Sequence, residues 1–165
     1  MHKALFLLCP TDCLESIIND TFKHENYFYT SLGNSFISDT ETIENIKELI
    51  IQHNIRKIYF VLSDDNKIIL DALGGQSFSD IRGLQKFYTE VTRQKERSEV
   101  LWQTDNRQFS ILSYYLNNKI KELQLELDNL PIHLPRISGK IYFRQKNIFS
   151  NIYSDLICIE KHYLN

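Results

Sequence analysis

The sequence predicts an α/β fold, with a mostly parallel central sheet flanked by helices and closed by a C-terminal strand pair. Three observations carry this reading. Residues 4–9 are a continuous apolar run stopped by Pro10, as expected of a strand buried on both faces. An aromatic strand, an amphipathic helix and an apolar strand then follow with little loop between them, which makes a crossover unit and hence parallel pairing. Near the C-terminus a long apolar stripe at helical spacing is cut by two prolines and followed by a strand, a tight turn and a return strand.

In chain order, residues 13–22 have the length and pattern of a short helix after the first strand. Residues 27–30 are the second strand, closed by the turn signal "SLGNS". Asp39 or Thr40 can cap the next helix. Glu41 and Glu44 sit near its positive end, and Ile43, Ile46, Leu49 and Ile50 make its stripe. It ends near His53 and Asn54, and residues 57–62 form the third strand. A short helix over 66–73 follows, with Asp64 or Asp65 as its cap. Residues 80–102, containing "TRQKERSE", read as a solvated helix docked through Ile81, Leu84, Phe87 and Val91. Residues 106–130 carry Phe109, Leu112, Leu116, Ile120, Leu123, Leu127 and Leu130, a helix of roughly 35 Å at ~1.5 Å per residue. Pro131 and Pro135 stop it. "ISGKIYFRQKNIFSNIY" is then a strand, a turn near 145–147 and a return strand. The stretch 74–79 is too short for a linker, so residues 1–165 are expected to form one domain.

Composition narrows the function classes. With 165 residues, 42% hydrophobic and 24% charged, the chain can build one real core. A net charge of −2 and a pI near 6.2 provide no overall footprint for nucleic acid or an anionic membrane. No run approaches the roughly 18 apolar residues that span a bilayer. Pro10, Thr11 and Asp12 follow the first apolar run where a cleavable signal wants small residues, which favours a cytoplasmic protein. Cys9, Cys13 and Cys158 are an odd count, against a disulfide framework.

The chemistry-bearing residues collect at strand exits. Ser63-Asp64-Asp65-Asn66 leaves the third strand at its carboxyl end, where open α/β sheets place ligands. Cys9, Asp12 and Cys13 leave the first strand at the same edge if the two strands are parallel neighbours, so Cys9, Cys13 and Asp64 are a conceivable metal set. The C-x3-C spacing suits a buried structural thiol and a half-exposed one equally well. Asp64 and Asp65 invite a paired-carboxylate reading, but adjacent residues usually point to different sides. Ser63 has no histidine near it in sequence and no G-x-S-x-G elbow, so a hydrolase is unsupported. Gly33-Asn34-Ser35 precedes a helix and can present backbone N–H groups to an anion such as bicarbonate or phosphate. The five histidines lack ligand spacing. The many aromatics are core or interface material, and Tyr114 with Tyr115, beside the leucine stripe, suit a homodimer seam.

The order of elements resembles the β-class carbonic anhydrases over most of the chain. "LFLLCPTDC" lies where that family has Cys-x-Asp-x-Arg, and "YFYTSLGNS" is similar to its Asn-Ala-Gly-Asn-like turn at Gly33 and Asn34. "ENIKELIIQHNIRKIYFVLSDDN" resembles the helix and strand before its Gly-His-x-x-Cys, and "ISGKIYF" its C-terminal opening at Gly139. The resemblance implies zinc on two cysteines and a histidine, with an Asp–Arg pair controlling the fourth position, and hydration of carbon dioxide. Residue by residue, Cys9 matches the first cysteine, Thr11 falls on the Asp position with Asp12 one place late, and Cys13 falls on the Arg. Ser63 takes the histidine position and Asn66 that of the second cysteine. Serine and asparagine are poor zinc ligands, so no metal is expected. The expectation is a non-catalytic binding or regulatory module with a pocket of Cys9, Asp12, Gly33, Asn34, Ser63, Asp64 and Asn66, forming a homodimer and taking a small anion or a protein partner. One alternative is a hydratase with zinc rearranged onto Cys9, Cys13 and Asp64. Another is an interaction protein that uses the charged helix and its run from Arg93 to Glu99.

Overall fold

The computed structural model describes residues 2–35, 39–82, 84–101, 107–131 and 133–153. Its strands are β1 (Lys3–Leu8), β2 (Glu25–Thr30), β3 (Lys57–Ser63), β4 (Arg136–Phe143) and β5 (Ile148–Asn151). Its helices are α1 (Glu15–Thr21), α2 (Thr40–His53), α3 (Lys67–Leu73), α4 (Gln85–Leu101) and α5 (Arg107–Leu127), with single 3-10 turns at Pro10–Asp12 and Leu32–Asn34. The sheet order is β2-β1-β3-β4-β5, parallel throughout except for the antiparallel β4–β5 hairpin. The fold class read from the sequence is the one observed.

Strand alternation divides the core. Leu5, Leu7, Ile58, Phe60 and Ile141 face α2 to α5, where they pack with Ile46, Ile50, Phe87, Leu112, Leu116 and Leu123. Ala4, Phe6, Leu8, Val61 and Tyr142 face the other side, which is covered by Leu14 and Ile18 at α1. Burial on both faces explains why β1 is apolar at every position from Ala4 to Leu8.

Local chemistry sets the element ends. The Asp39 carboxylate accepts from the Thr42 N–H at 2.7 Å to start α2, and Asn54, left-handed at φ 51°, ends it. α3 is capped by Asn66 rather than by either aspartate, because the Asn66 Oδ1 accepts from the Ile69 N–H at 2.9 Å. Ile81 lies before α4 and is exposed, while Leu84, Phe87, Tyr88 and Val91 are buried. α5 ends at Leu127, three residues earlier than its apolar spacing suggests, because residues 128–129 already turn toward Pro131. Gly139 is glycine because Ile152 crosses it: a Cβ there would lie 2.5 Å from the Ile152 Cδ1.

One expectation is overturned here. Tyr115 is fully buried in this chain's own core, edge-on to Phe87, with its hydroxyl donating to the Asn34 carbonyl at 3.1 Å. It shares a helix face with Leu112, Leu116 and Lys119, which turns it toward the sheet, so it is not available for a dimer seam. Cys158, Trp102 and the side chains of most of the run from Arg93 to Glu99 lie outside the described residues.

Candidate functional site

The carboxyl ends of β1 and β3 lie side by side, and the 3-10 turns that leave β1 and β2 fold over them. Asn34 ties the two strands together. Its Nδ2 donates to the Leu7 carbonyl at 2.8 Å and the Val61 carbonyl at 3.0 Å, while its buried Oδ1 has no partner among the described residues. The two carbonyl acceptors fix which end of the amide is which. Beside it the Cys9 thiol, 1% exposed, accepts from the Gly33 N–H at 3.1 Å and lies 3.1 Å from the Thr11 hydroxyl. Gly33 needs to be glycine twice over. Its φ is +61°, and a Cβ would sit 3.0 Å from Ile68 and 3.1 Å from Phe87.

Asp12 is the centre of the arrangement, 2% exposed. Its Oδ2 accepts from the Ser63 N–H at 2.9 Å and its Oδ1 from the Asn66 Nδ2 at 2.7 Å. Burial pushes its carboxyl up to about 6 against the opposing pull of those two donors and of the nearby Arg144 guanidinium. Asn66 thus has both ends of its amide engaged, one on Asp12 and one capping α3. The Ser63 hydroxyl donates to Asp65.

Arg144, from the turn after β4, closes the edge. Its Nε donates to both Asp65 oxygens at 2.8 and 3.0 Å, and its Nη2 to the Asp12 carbonyl at 2.9 Å and the Ser63 hydroxyl at 3.4 Å. Burial pushes the Asp65 carboxyl up, but the bonds from Ser63 and Arg144 and the guanidinium charge outweigh it and hold the group below its ordinary value. Asp64 turns aside: its carboxylate accepts from the Arg144 N–H at 3.2 Å and its own N–H donates to the Tyr142 carbonyl at 2.9 Å. The two aspartates therefore do not share a proton as a pair, and the raised carboxyl belongs to Asp12.

Cys9, Asp12, Gly33, Asn34, Ser63 and Asn66 come together at one edge and are all buried; Asp64 stands at its partly exposed rim. The set of Cys9, Cys13 and Asp64 is not assembled. Cys13 is exposed in a left-handed turn at φ 53° with its thiol on the Pro10 carbonyl at 3.6 Å, and Asp64 faces Arg144. Among the described residues no three His, Cys, Asp or Glu side chains are grouped to hold a metal ion. One thiol, one hydroxyl, one amide and a carboxylate already bonded twice do not fit a zinc of the kind held by thiolates and imidazole.

Sequence reasoning missed Arg144, which lies 79 residues from Asp65 in the chain. The one signal was positional. Once β3 and β4 pair, Ser63 stands opposite Tyr142, which brings an arginine in "FRQKN" beside the Ser-Asp-Asp-Asn loop.

This architecture is that of the β-carbonic anhydrases. The chain is similar to the β-carbonic anhydrase CafD of Aspergillus fumigatus, with a TM-score of 0.74 at 15% identity over 93% of this chain and 90% of that one. The Coccomyxa β-carbonic anhydrase in complex with acetazolamide superposes with a TM-score of 0.67 at 10% identity, covering 91% and 71%. A tetrameric β-carbonic anhydrase from Sordaria macrospora does so at 0.65 and 12%, covering 91% and 80%. What is shared at these identities is the fold. No family model matches the sequence, and neither does any curated protein.

Proposed function

We propose that this chain is a β-carbonic-anhydrase-fold protein without the zinc site, acting as a binding or regulatory module rather than as a hydratase. One observation carries the reading. At the positions that the resemblance assigns to a zinc-binding histidine and cysteine stand Ser63 and Asn66, and both are committed to an internal network with Asp12, Asp65 and Arg144. Asn66 has no free end to turn toward a metal, and the buried Asp12 carboxylate already takes both of its donors.

The binding edge in this proposal is Cys9, Asp12, Gly33, Asn34, Ser63, Asp64 and Asn66, and the occupant is a small anion or a segment of a protein partner. Access runs past Arg144, whose side chain is 40% exposed and paired to a half-exposed Asp65. An exposed pair of this kind is worth under about 1 kcal/mol, so a ligand can displace it at little cost. We further propose that the protein is a cytoplasmic homodimer, in keeping with the tetrameric assembly of the Sordaria relative.

Elemental analysis of tag-free protein purified without chelator, alongside a carbon dioxide hydration assay, tests the reading. Zinc far below one per chain and no hydration above the uncatalysed rate is the expected result. Near-stoichiometric zinc with hydration overturns it. Sedimentation velocity tests the dimer separately.

A further inference from the structure

At the opposite end of the strands the charge is arranged differently. Lys57 at the start of β3 pairs in register with Arg136 at the start of β4, so two cations stand directly opposite one another on one face of the sheet. Like charges in that position repel. Tyr59 and Ser138 follow as the next pair on the same face, then Lys140. These residues line one side of a cleft of about 630 Å³ that wraps the open edge of β4 where β5 does not reach, and Lys121 of α5 lines it from the opposite face of the sheet. Among the described residues the cleft therefore holds Lys57, Lys121, Arg136 and Lys140 and no carboxylate. Among the described residues none of the four makes an ion pair; Asp128 lines only the adjoining groove that Lys121 also borders.

Lys140 is the best placed of the four. Its Nζ donates to the Asn151 Oδ1 at 2.7 Å and lies 5.5 Å from the Tyr59 ring centre, which positions the ammonium within the cleft. Burial alone holds Lys140 below its ordinary value, and Lys57 helps to hold the half-buried His24 down after desolvation itself. Only the second of these is an effect of neighbouring charge, and it shows the positive field of Lys57 in a chain whose net charge is −2. A low-dielectric wall lined by one sign of charge concentrates the opposite ion.

We propose that this cleft binds a phosphate-bearing small molecule. A phosphate monoester brings close to two negative charges at neutral pH and several strong acceptor oxygens, which match the three cations Lys57, Arg136 and Lys140 and the hydroxyls of Tyr59 and Ser138 on the same face. A carboxylate brings one charge. The volume lies in the range of small-ligand sites. The site is independent of the carboxyl-end edge, and the metal content of the protein has no bearing on it.

The test uses the full chain with inorganic phosphate and pyrophosphate as probes, at constant ionic strength set with potassium chloride. Calorimetric titration is expected to show saturable binding, tighter for pyrophosphate, with a phosphate-dependent rise in Tm of several degrees. The double variant Lys57→Gln/Arg136→Gln is expected to weaken binding at least tenfold and, in phosphate-free buffer, to melt no lower than the parent, since a repulsion is removed. Lys67→Gln, on the surface of α3, leaves binding unchanged. The proposal is overturned if the parent shows no saturable binding, if chloride alone reproduces the Tm shift, or if the double variant is folded by circular dichroism and binds as tightly as the parent.

Discussion

The two ends of the sheet handle charge in opposite ways. At the carboxyl end, Asp12, Asp65 and Arg144 are packed against each other with Ser63 and Asn66, and the charges are compensated within the chain. At the amino end, Lys57 faces Arg136 with no acid among the described residues that line the cleft. Here the charges of the carboxyl end are paired within the chain, and the uncompensated charge lies at the other.

The largest effect should come from removing the centre of the closed network. Asp12→Ala leaves the Ser63 N–H and the Asn66 Nδ2 buried without an acceptor, at a cost of about 2–4 kcal/mol. Urea denaturation of parent and variant measures it, and a loss below about 1 kcal/mol would mean that water replaces the carboxylate.

The same group sets a pH dependence of comparable size. The Asp12 carboxyl titrates near 6 when folded and near 3.8 otherwise, so the folded state holds this proton more tightly. Stability from this group is fully present below about pH 4 and is lost as pH rises to about 6, by up to roughly 3 kcal/mol at ~1.4 kcal/mol per unit. Asp65 acts in the other direction and in another window. Its carboxyl is held low, so its contribution is present above about pH 4 and is lost on further acidification. Denaturation midpoints measured from pH 4 to 7 should therefore fall for the parent and flatten in Asp12→Ala. A flat parent profile would show that Asp12 is solvated.

Backbone strain ranks next. Gly33→Ala forces a side chain into φ +61° and against Ile68 and Phe87, for about 1–2 kcal/mol, seen as a lower Tm. A smaller effect, about 1 kcal/mol, is expected at Arg144→Gln. It breaks the exposed pair with Asp65 and the bonds to the Asp12 carbonyl and the Ser63 hydroxyl but leaves the fold intact, so a change in ligand-induced stabilisation well beyond that loss reports on binding rather than folding. The Lys57→Gln/Arg136→Gln variant should not destabilise at all, and this opposite sign separates the two ends of the sheet most directly.

What could be read in advance followed from local interactions. The start of α2 at Thr40 was legible because Asp39 caps its own helix three residues on. The crossover into β3 was legible because the apolar periods switch from helical to continuous with almost no loop. Element ends that depended on a choice between neighbours were harder. Asn66 and not Asp64 or Asp65 caps α3, because both aspartates are claimed by Arg144, a residue far along the chain. Tyr115 looked like interface material until the register of α5 against the sheet turned it inward.

The sequence by itself therefore determined which segments are strands and helices, that the sheet is mostly parallel, and which residues gather at the carboxyl ends of β1 and β3. Those are matters of period, turn chemistry and short connections, all written within about a dozen neighbouring residues. Only the tertiary structure decided how those residues are used: that Asp12 is buried and bonded from β3, that Arg144 closes the edge, and that Lys57 faces Arg136 across the ladder. Electrostatic compensation depends on distances between residues 50 to 130 positions apart, and such distances follow from strand order and register, which no local pattern encodes.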